Sequence, residues 1–217
     1  MLKQKNQENR KKIEGIYMHT FEAINQRRSI RHYDPAHKIS QGELDQLVEL
    51  AMQTPSSFNI QHWRIVNVTD PALRKQVRAA AWDQAQVTDA SLLFVICADV
   101  KAWQKNPAQY FRNAPKPAQD MLVPMIAPFY EGKEQLQRDE AMRSVGFFSM
   151  TLMLAAKAMG YDSSPMIGFD PVKVAELVKL PQDHAVGMLL AIGKRTQDAF
   201  PKPGYIDKSV AIRENHF

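Results

Sequence analysis

The run SLLFVICAD, residues 91–99, constrains this chain more than any other stretch. Its apolar side chains are consecutive, without the alternation of a strand that has one wet face or the spacing of an amphipathic helix. Polar residues bound it, and it falls far short of the roughly 20 apolar residues of a membrane span. The sequence therefore predicts a central strand buried on both faces, which needs a packed layer on each side. A chain of 217 residues, 45% hydrophobic and 24% charged, can supply both layers. Cys97, the single cysteine, lies inside the run. No internal disulfide can form, and the thiol is expected to pack as a buried apolar residue.

The rest of the chain offers elements for those layers. A helix can begin at Thr20, and a clearer one follows Ser40, because Ser40 and Glu43 have capping-box spacing. Leu44, Leu47, Val48 and Ala51 then form one apolar helical face, which Thr54-Pro55 ends. RIVNVTD, residues 64–70, reads as a strand, and Asp70-Pro71 and Asp170-Pro171 each pair an N-cap with proline at the first helical position. Residues 103–130 contain Pro107, Pro115, Pro117, Pro124 and Pro128, so short helices forming a mobile cover are expected there. The longest helix should cover residues 134–159 and close at Gly160, with AVGMLLAIG as a further buried strand. Neither repeat nor linker divides the chain, which predicts one α+β domain over residues 17–200. A polar leader, residues 1–16, precedes it, and an arm, residues 201–217, follows with too little apolar area to bury itself. Packing on a second subunit would cover such an arm.

Charge and targeting signals exclude several functions. The formal charge is +5 with pI near 9.3, but residues 1–14 hold five Lys/Arg against two Glu. The remainder is only mildly basic and has no aromatic-interleaved basic stripe, so no nucleic-acid partner is expected. A membrane span and a secretory signal are both missing from the pattern, which makes the cytoplasm the expected location. The histidines are scattered without metal-ligand spacing, and no metal is expected.

Two motifs can carry chemistry. In RRSIRHY, Arg27, Arg28 and Arg31 repel one another unless an anion or acidic partner neutralises them, and Ser29 adds a hydroxyl donor. The cluster suits a phosphomonoester or, equally, a solvated basic face. In PSSFNIQHW, Ser56, Ser57, Asn59 and Gln61 offer uncharged donors and acceptors ahead of Trp63. They suit a flat polar-edged ligand or, alternatively, a plain connecting turn. P-loop and GxGxxG patterns are lacking.

RRSIRHYD, PSSFNIQHW, AWDQAQVTDASLLFVICAD and PMIGFDPVKVAELVKLP, in this order and spacing, resemble the nitroreductase family of flavin enzymes over residues 18–205. The resemblance implies an intertwined α+β homodimer, each subunit with a central mixed sheet flanked by helices, binding two FMN molecules at the interface. It assigns the FMN phosphate to Arg27, Arg28, Ser29 and Arg31, and places Pro55, Ser56, Ser57 and Asn59 against the partner subunit's flavin. Gln84 or Gln86 would meet the pyrimidine edge of the ring, with Asp83 disfavoured because an anion there opposes a reduced flavin. Ile167 and Gly168 would act through main chain near flavin N5. The arm would add Lys202 to the phosphate site, while Ile206 stands where a second basic residue is found in relatives and Lys208 is a weaker substitute. Phe111, Met125 and Phe129 are the implied cover residues. The implied activity is hydride transfer from NADH or NADPH through flavin N5 to small nitroaromatic or quinone acceptors by a ping-pong cycle, with no catalytic side chain. Three rival readings stand beside it: a specialised acceptor on the same fold (flavin-consuming, dehalogenating or heterocycle-oxidising), a non-catalytic flavin-binding or regulatory protein, and an α+β structural dimer with no cofactor.

Overall fold

The computed structural model describes residues 18–217. The leader, residues 1–16, lies outside them. In chain order the elements are α1 (Thr20–Gln26), α2 (Gln41–Ala51), β1 (Trp63–Asn67), α3 (Pro71–Ala80), α4 (Gln86–Asp89), β2 (Leu92–Asp99), α5 (Lys116–Tyr130), α6 (Glu134–Ala158), β3 (Asp162–Met166), α7 (Pro171–Leu177), β4 (His184–Gly193) and α8 (Lys208–Ala211). The sheet order is β1-β2-β4-β3, with every neighbouring pair antiparallel. Among the described residues the parallel component is a bridge between Ser29 and Ser163 at the β3 edge.

The SLLFVICAD run contains β2, whose residues are all buried. Because alternate strand side chains point to opposite faces, Leu92, Phe94, Ile96 and Ala98 enter one core with Leu47 and Ala51 of α2 and Val145, Phe148 and Leu152 of α6. Leu93, Val95 and Cys97 enter a second core with Val77 of α3 and Val174 of α7. The strand thus has its two layers, and burial pushes the Cys97 thiol up to about 11.

Local signals set the helix starts. Ser40 and Glu43 form the capping box, the Ser40 hydroxyl accepting from the Glu43 N–H and the Glu43 carboxylate from the Ser40 N–H. Asp70 accepts from the Ala72 N–H at 2.9 Å, and Asp170 from the Val172 and Lys173 N–H groups at 3.0 Å. Gly160 closes α6 at φ +80°, a left-handed conformation that favours glycine.

Two features depart from the sequence expectation. Residues 116–130 form one 15-residue helix, α5, despite Pro124 and Pro128 within it. Their i, i+4 spacing puts both rings on one exposed side, so the missing N–H donors fall together. Ile126 and Tyr130 anchor the other side in a third core with Ile60 and Trp103. The second departure is β3, whose two serines and proline between Asp162 and Met166 carry no strand pattern. Asp162 is buried and paired with Lys157 at 2.9 Å, and the Ser163 carbonyl accepts from the Ile30 N–H at 3.0 Å. The Asp162 carboxylate and the Ser163 main chain thus find partners outside the strand, while the Ser163 hydroxyl is buried with no hydrogen-bond partner among the described residues.

Candidate functional site

After α1 ends at Gln26, the chain is pinned along β3 by the Ile30–Ser163 hydrogen bond and by burial of Ile30. That placement gathers Arg27, Arg28, Ser29 and Arg31 around a pocket of about 350 Å³, whose other wall is residues 200–205, including Lys202. Among the described residues no acidic side chain lines it. Arg28 donates to the Phe200 carbonyl, and the Arg31 guanidinium lies 5.3 Å from the Phe200 ring centroid. The arm is therefore held over the pocket by two of the arginines. Arg27 Nη1 is buried with no hydrogen-bond partner among the described residues. A buried charged donor without an acceptor is costly, and a multi-oxygen anion beside it would remove that cost.

A second group forms around Gly168, which follows β3. Gln84 Nε2 donates to the Gly168 carbonyl at 2.7 Å and the Ala81 carbonyl at 3.0 Å. Gln86, buried, donates to Gln84 Oε1 at 3.0 Å, so it acts by holding Gln84. Asp83 is paired with Arg78 at 2.7 Å. Ile167 is 84% exposed and Trp82 70% exposed. A Cβ on Gly168 would stand 2.9 Å from the Trp82 ring, so the glycine permits this close approach. Sequence reasoning missed Trp82. Its ring is presented by left-handed backbone at Trp82 and Asp83, φ 54° and 57°, and no residue pattern signals that.

The polar loop is strained. Phe58, Asn59 and Gln61 all have left-handed φ, at 50°, 54° and 53°. Such conformations persist at non-glycine residues only when surroundings over-determine them. Here the Ser56 hydroxyl accepts from the Gln61 N–H at 2.9 Å, and the Asn59 amide donates to the Tyr110 carbonyl at 2.8 Å. Phe58, also missed from sequence, lies edge-on to Phe129 at 5.3 Å, joining the loop to the cover helix α5. Met125 and Phe129 are exposed on α5. Phe111 lines a separate 720 Å³ pocket with Asn59 and Gln61. Residues 55–59 do not line the arginine pocket of their own chain.

The loop's exit residue, His62, is buried, with Nδ1 3.0 Å from Ser144 Oγ. Burial lowers its pKa to about 4, against the opposing field of Asp99. The unfolded chain, with an ordinary imidazole near 6.5, binds a proton first, so stability should fall as pH drops from about 6.5 to 4. Thermal midpoints across that window should show a loss that is smaller in His62→Gln.

Among the described residues, ligand atoms of Asp99, Asp183 and His184 lie within 4.8 Å of one another. Lys105 Nζ already bonds both carboxylates, at 2.9 and 2.5 Å, so an ammonium group balances their charge.

Comparison with known proteins agrees with this architecture. A model of the nitroreductase family matches residues 24–194. Protein DrgA of Synechocystis is 60% identical over 182 residues, covering 84% of this chain and 87% of its own. An oxygen-insensitive NADPH nitroreductase of Helicobacter pylori is 30% identical, covering 82% and 89%. A putative nitroreductase from Exiguobacterium sibiricum, solved in complex with FMN, superposes with a TM-score of 0.84 at 31% identity, covering 91% of this chain and 98% of that one. Fold and matches together define an α+β oxidoreductase. The chain belongs to the nitroreductase family.

Proposed function

We propose that this protein binds FMN and passes reducing equivalents from NADH or NADPH to small nitroaromatic or quinone-type acceptors, donor and acceptor using the same site in turn. The observation that carries this reading is a pocket lined by Arg27, Arg28, Ser29, Arg31 and Lys202 with no acidic side chain among the described residues, one terminal nitrogen of Arg27 being buried and unpartnered. A terminal phosphate supplies the oxygens that those donors lack. FMN held there by Arg27, Arg28, Ser29, Arg31 and Lys202 would supply the hydride chemistry between nicotinamide and acceptor.

The chain's own residues bind and orient. Strand β3 leads from the Ser29–Ser163 bridge to Ile167, four residues on, or roughly 13 Å at strand rise. That span connects a phosphate pocket to a ring site. Gln84 holds the Gly168 main chain in place, while Ile167 and Trp82 offer apolar surface against which a flat ring can lie and exclude water. Phe111, Met125 and Phe129 cover the acceptor, and stacking in place of specific hydrogen bonds makes acceptor choice broad.

The working form is a homodimer in the cytoplasm. Phe21 and Ile24 of α1, Phe147 and Met150 of α6, and Tyr205, Ile206 and Ile212 of the arm are exposed apolar residues that a second copy would cover. Residues 55–59 line no part of their own chain's arginine pocket, which supports their serving the partner's site. Among the described residues no helix is long and apolar enough to cross a membrane. The domain proper spans residues 17–200, and residues 201–217 form the arm.

The test is the visible spectrum of the FMN-loaded protein under anaerobic conditions. Bleaching by NADH or NADPH, followed by recovery on adding a benzoquinone or a nitroaromatic, is the expected result. Parallel double-reciprocal plots would establish the two-stage order. Bound FMN that neither nucleotide bleaches would overturn the proposal.

A further inference from the structure

Asp99 ends β2 with its side chain only 3% exposed. Its carboxylate accepts from Arg64 Nη2 at 3.1 Å, Lys105 Nζ at 2.9 Å and the Lys101 N–H at 3.2 Å. A buried carboxylate is tolerated only when its partners compensate the lost hydration. Here the Arg64 guanidinium reaches onward to the polar loop, while Lys105 bonds Asp183 as well through its ammonium, at 2.5 Å, and leads to the neighbouring turn through its main chain.

Arg64 is the first link. Its other terminal nitrogen, Nη1, donates to the Gln61 carbonyl at 2.8 Å and the Trp63 carbonyl at 2.9 Å. The guanidinium therefore clamps Asp99 to Gln61, the last left-handed residue of the strained loop. The Asp99 N–H also donates to the His62 carbonyl at 2.8 Å, fixing the loop's exit at the same point. Lys105 is the second link. It precedes the turn Pro107–Phe111, in which the Tyr110 carbonyl accepts from Asn59 and the Tyr110 hydroxyl donates to the Ala102 carbonyl at 2.8 Å. Loop, turn and strand end thus close into one circuit with Asp99 at its buried vertex.

We propose that Asp99 is a positioning residue for the FMN-facing loop: through Arg64 and Lys105 it holds residues 58–61 and 107–111 in one geometry. The inference rests on the FMN reading only for where the loop acts. The loop's strain needs an external clamp, and this carboxylate is where the clamp's two arms meet.

The test uses the full chain carrying Asp99→Asn, Arg64→Met or both. FMN affinity is read by fluorescence titration, and amide exchange of the FMN-free protein is read at residues 57–61 and 107–111 and in β2 and β4. Each single change should weaken FMN binding roughly 5- to 30-fold. Exchange should quicken in the two loop segments and stay unchanged in β2 and β4. The double variant should be no weaker than the worse single variant, because Asp99→Asn already cuts the link through Arg64 along with the one through Lys105. A lowered thermal midpoint with unchanged loop exchange and FMN affinity would overturn the inference. If Asp99→Asn fails to fold, Arg64→Met, at a half-exposed position, carries the test alone. Failure of the unmodified protein to bind FMN would sink the proposed function, while the exchange measurement would still decide the role of Asp99.

Discussion

Arg27→Ala is expected to weaken FMN binding roughly 10- to 150-fold, the loss of a charged hydrogen bond worth about 1.5–3 kcal/mol. The apoprotein should lose no stability. Arg27 Nη1 is buried without an acceptor among the described residues, and removing such a donor removes its desolvation cost. Arg28 provides the contrast. Its guanidinium already donates to the Phe200 carbonyl, so Arg28→Ala should loosen the arm as well as the anion and destabilise the protein without ligand. Fluorescence titration and thermal unfolding of the two variants separate these effects. Unchanged FMN affinity in Arg27→Ala would remove the phosphate assignment.

Phe148→Ala should produce the largest loss of stability, about 3–5 kcal/mol by the usual cost of truncating a buried aromatic. Phe148 is fully buried on α6 and stacks on Trp63 of β1, with ring centroids 5.0 Å apart and planes inclined by 22°. The pair closes the core between the long helix and the strand that follows the strained loop. Against a typical domain stability of about 5–15 kcal/mol, this loss would make the variant marginal. Urea unfolding measures it directly, and a loss below about 1 kcal/mol would contradict tight packing of this pair. The two substitutions dissect different things: one removes a ligand contact at little cost in fold, the other removes fold.

The capping sequences at Ser40, Asp70 and Asp170 are legible because each cap is a contact among residues two or three apart. The apolar run of β2 is legible because burial on both faces leaves only apolar residues. Helix α5 escapes a sequence reading because its prolines are conspicuous, while the buried anchors Ile126 and Tyr130 that hold it together depend on a distant core. Strand β3 escapes it because the Asp162 carboxylate and the Ser163 carbonyl find their partners outside the strand: Lys157 lies on α6, and Ile30 follows α1. In the candidate site, residue type alone singles out the arginine cluster and the polar loop. Trp82 and Phe58 cannot be singled out that way, since left-handed backbone presents them.

By itself the sequence determined the layers: which segments are buried, where helices start, and which donors are too concentrated to be left unpartnered. Only the tertiary structure decided what those donors meet. Arg28 finds the Phe200 carbonyl 172 residues away, Gln84 finds Gly168 at a separation of 84, and Arg64 finds Asp99 at 35. Periodicity and capping are local properties that a short window contains. The site is built from pairings between distant segments, and their geometry exists only once the core has brought those segments together.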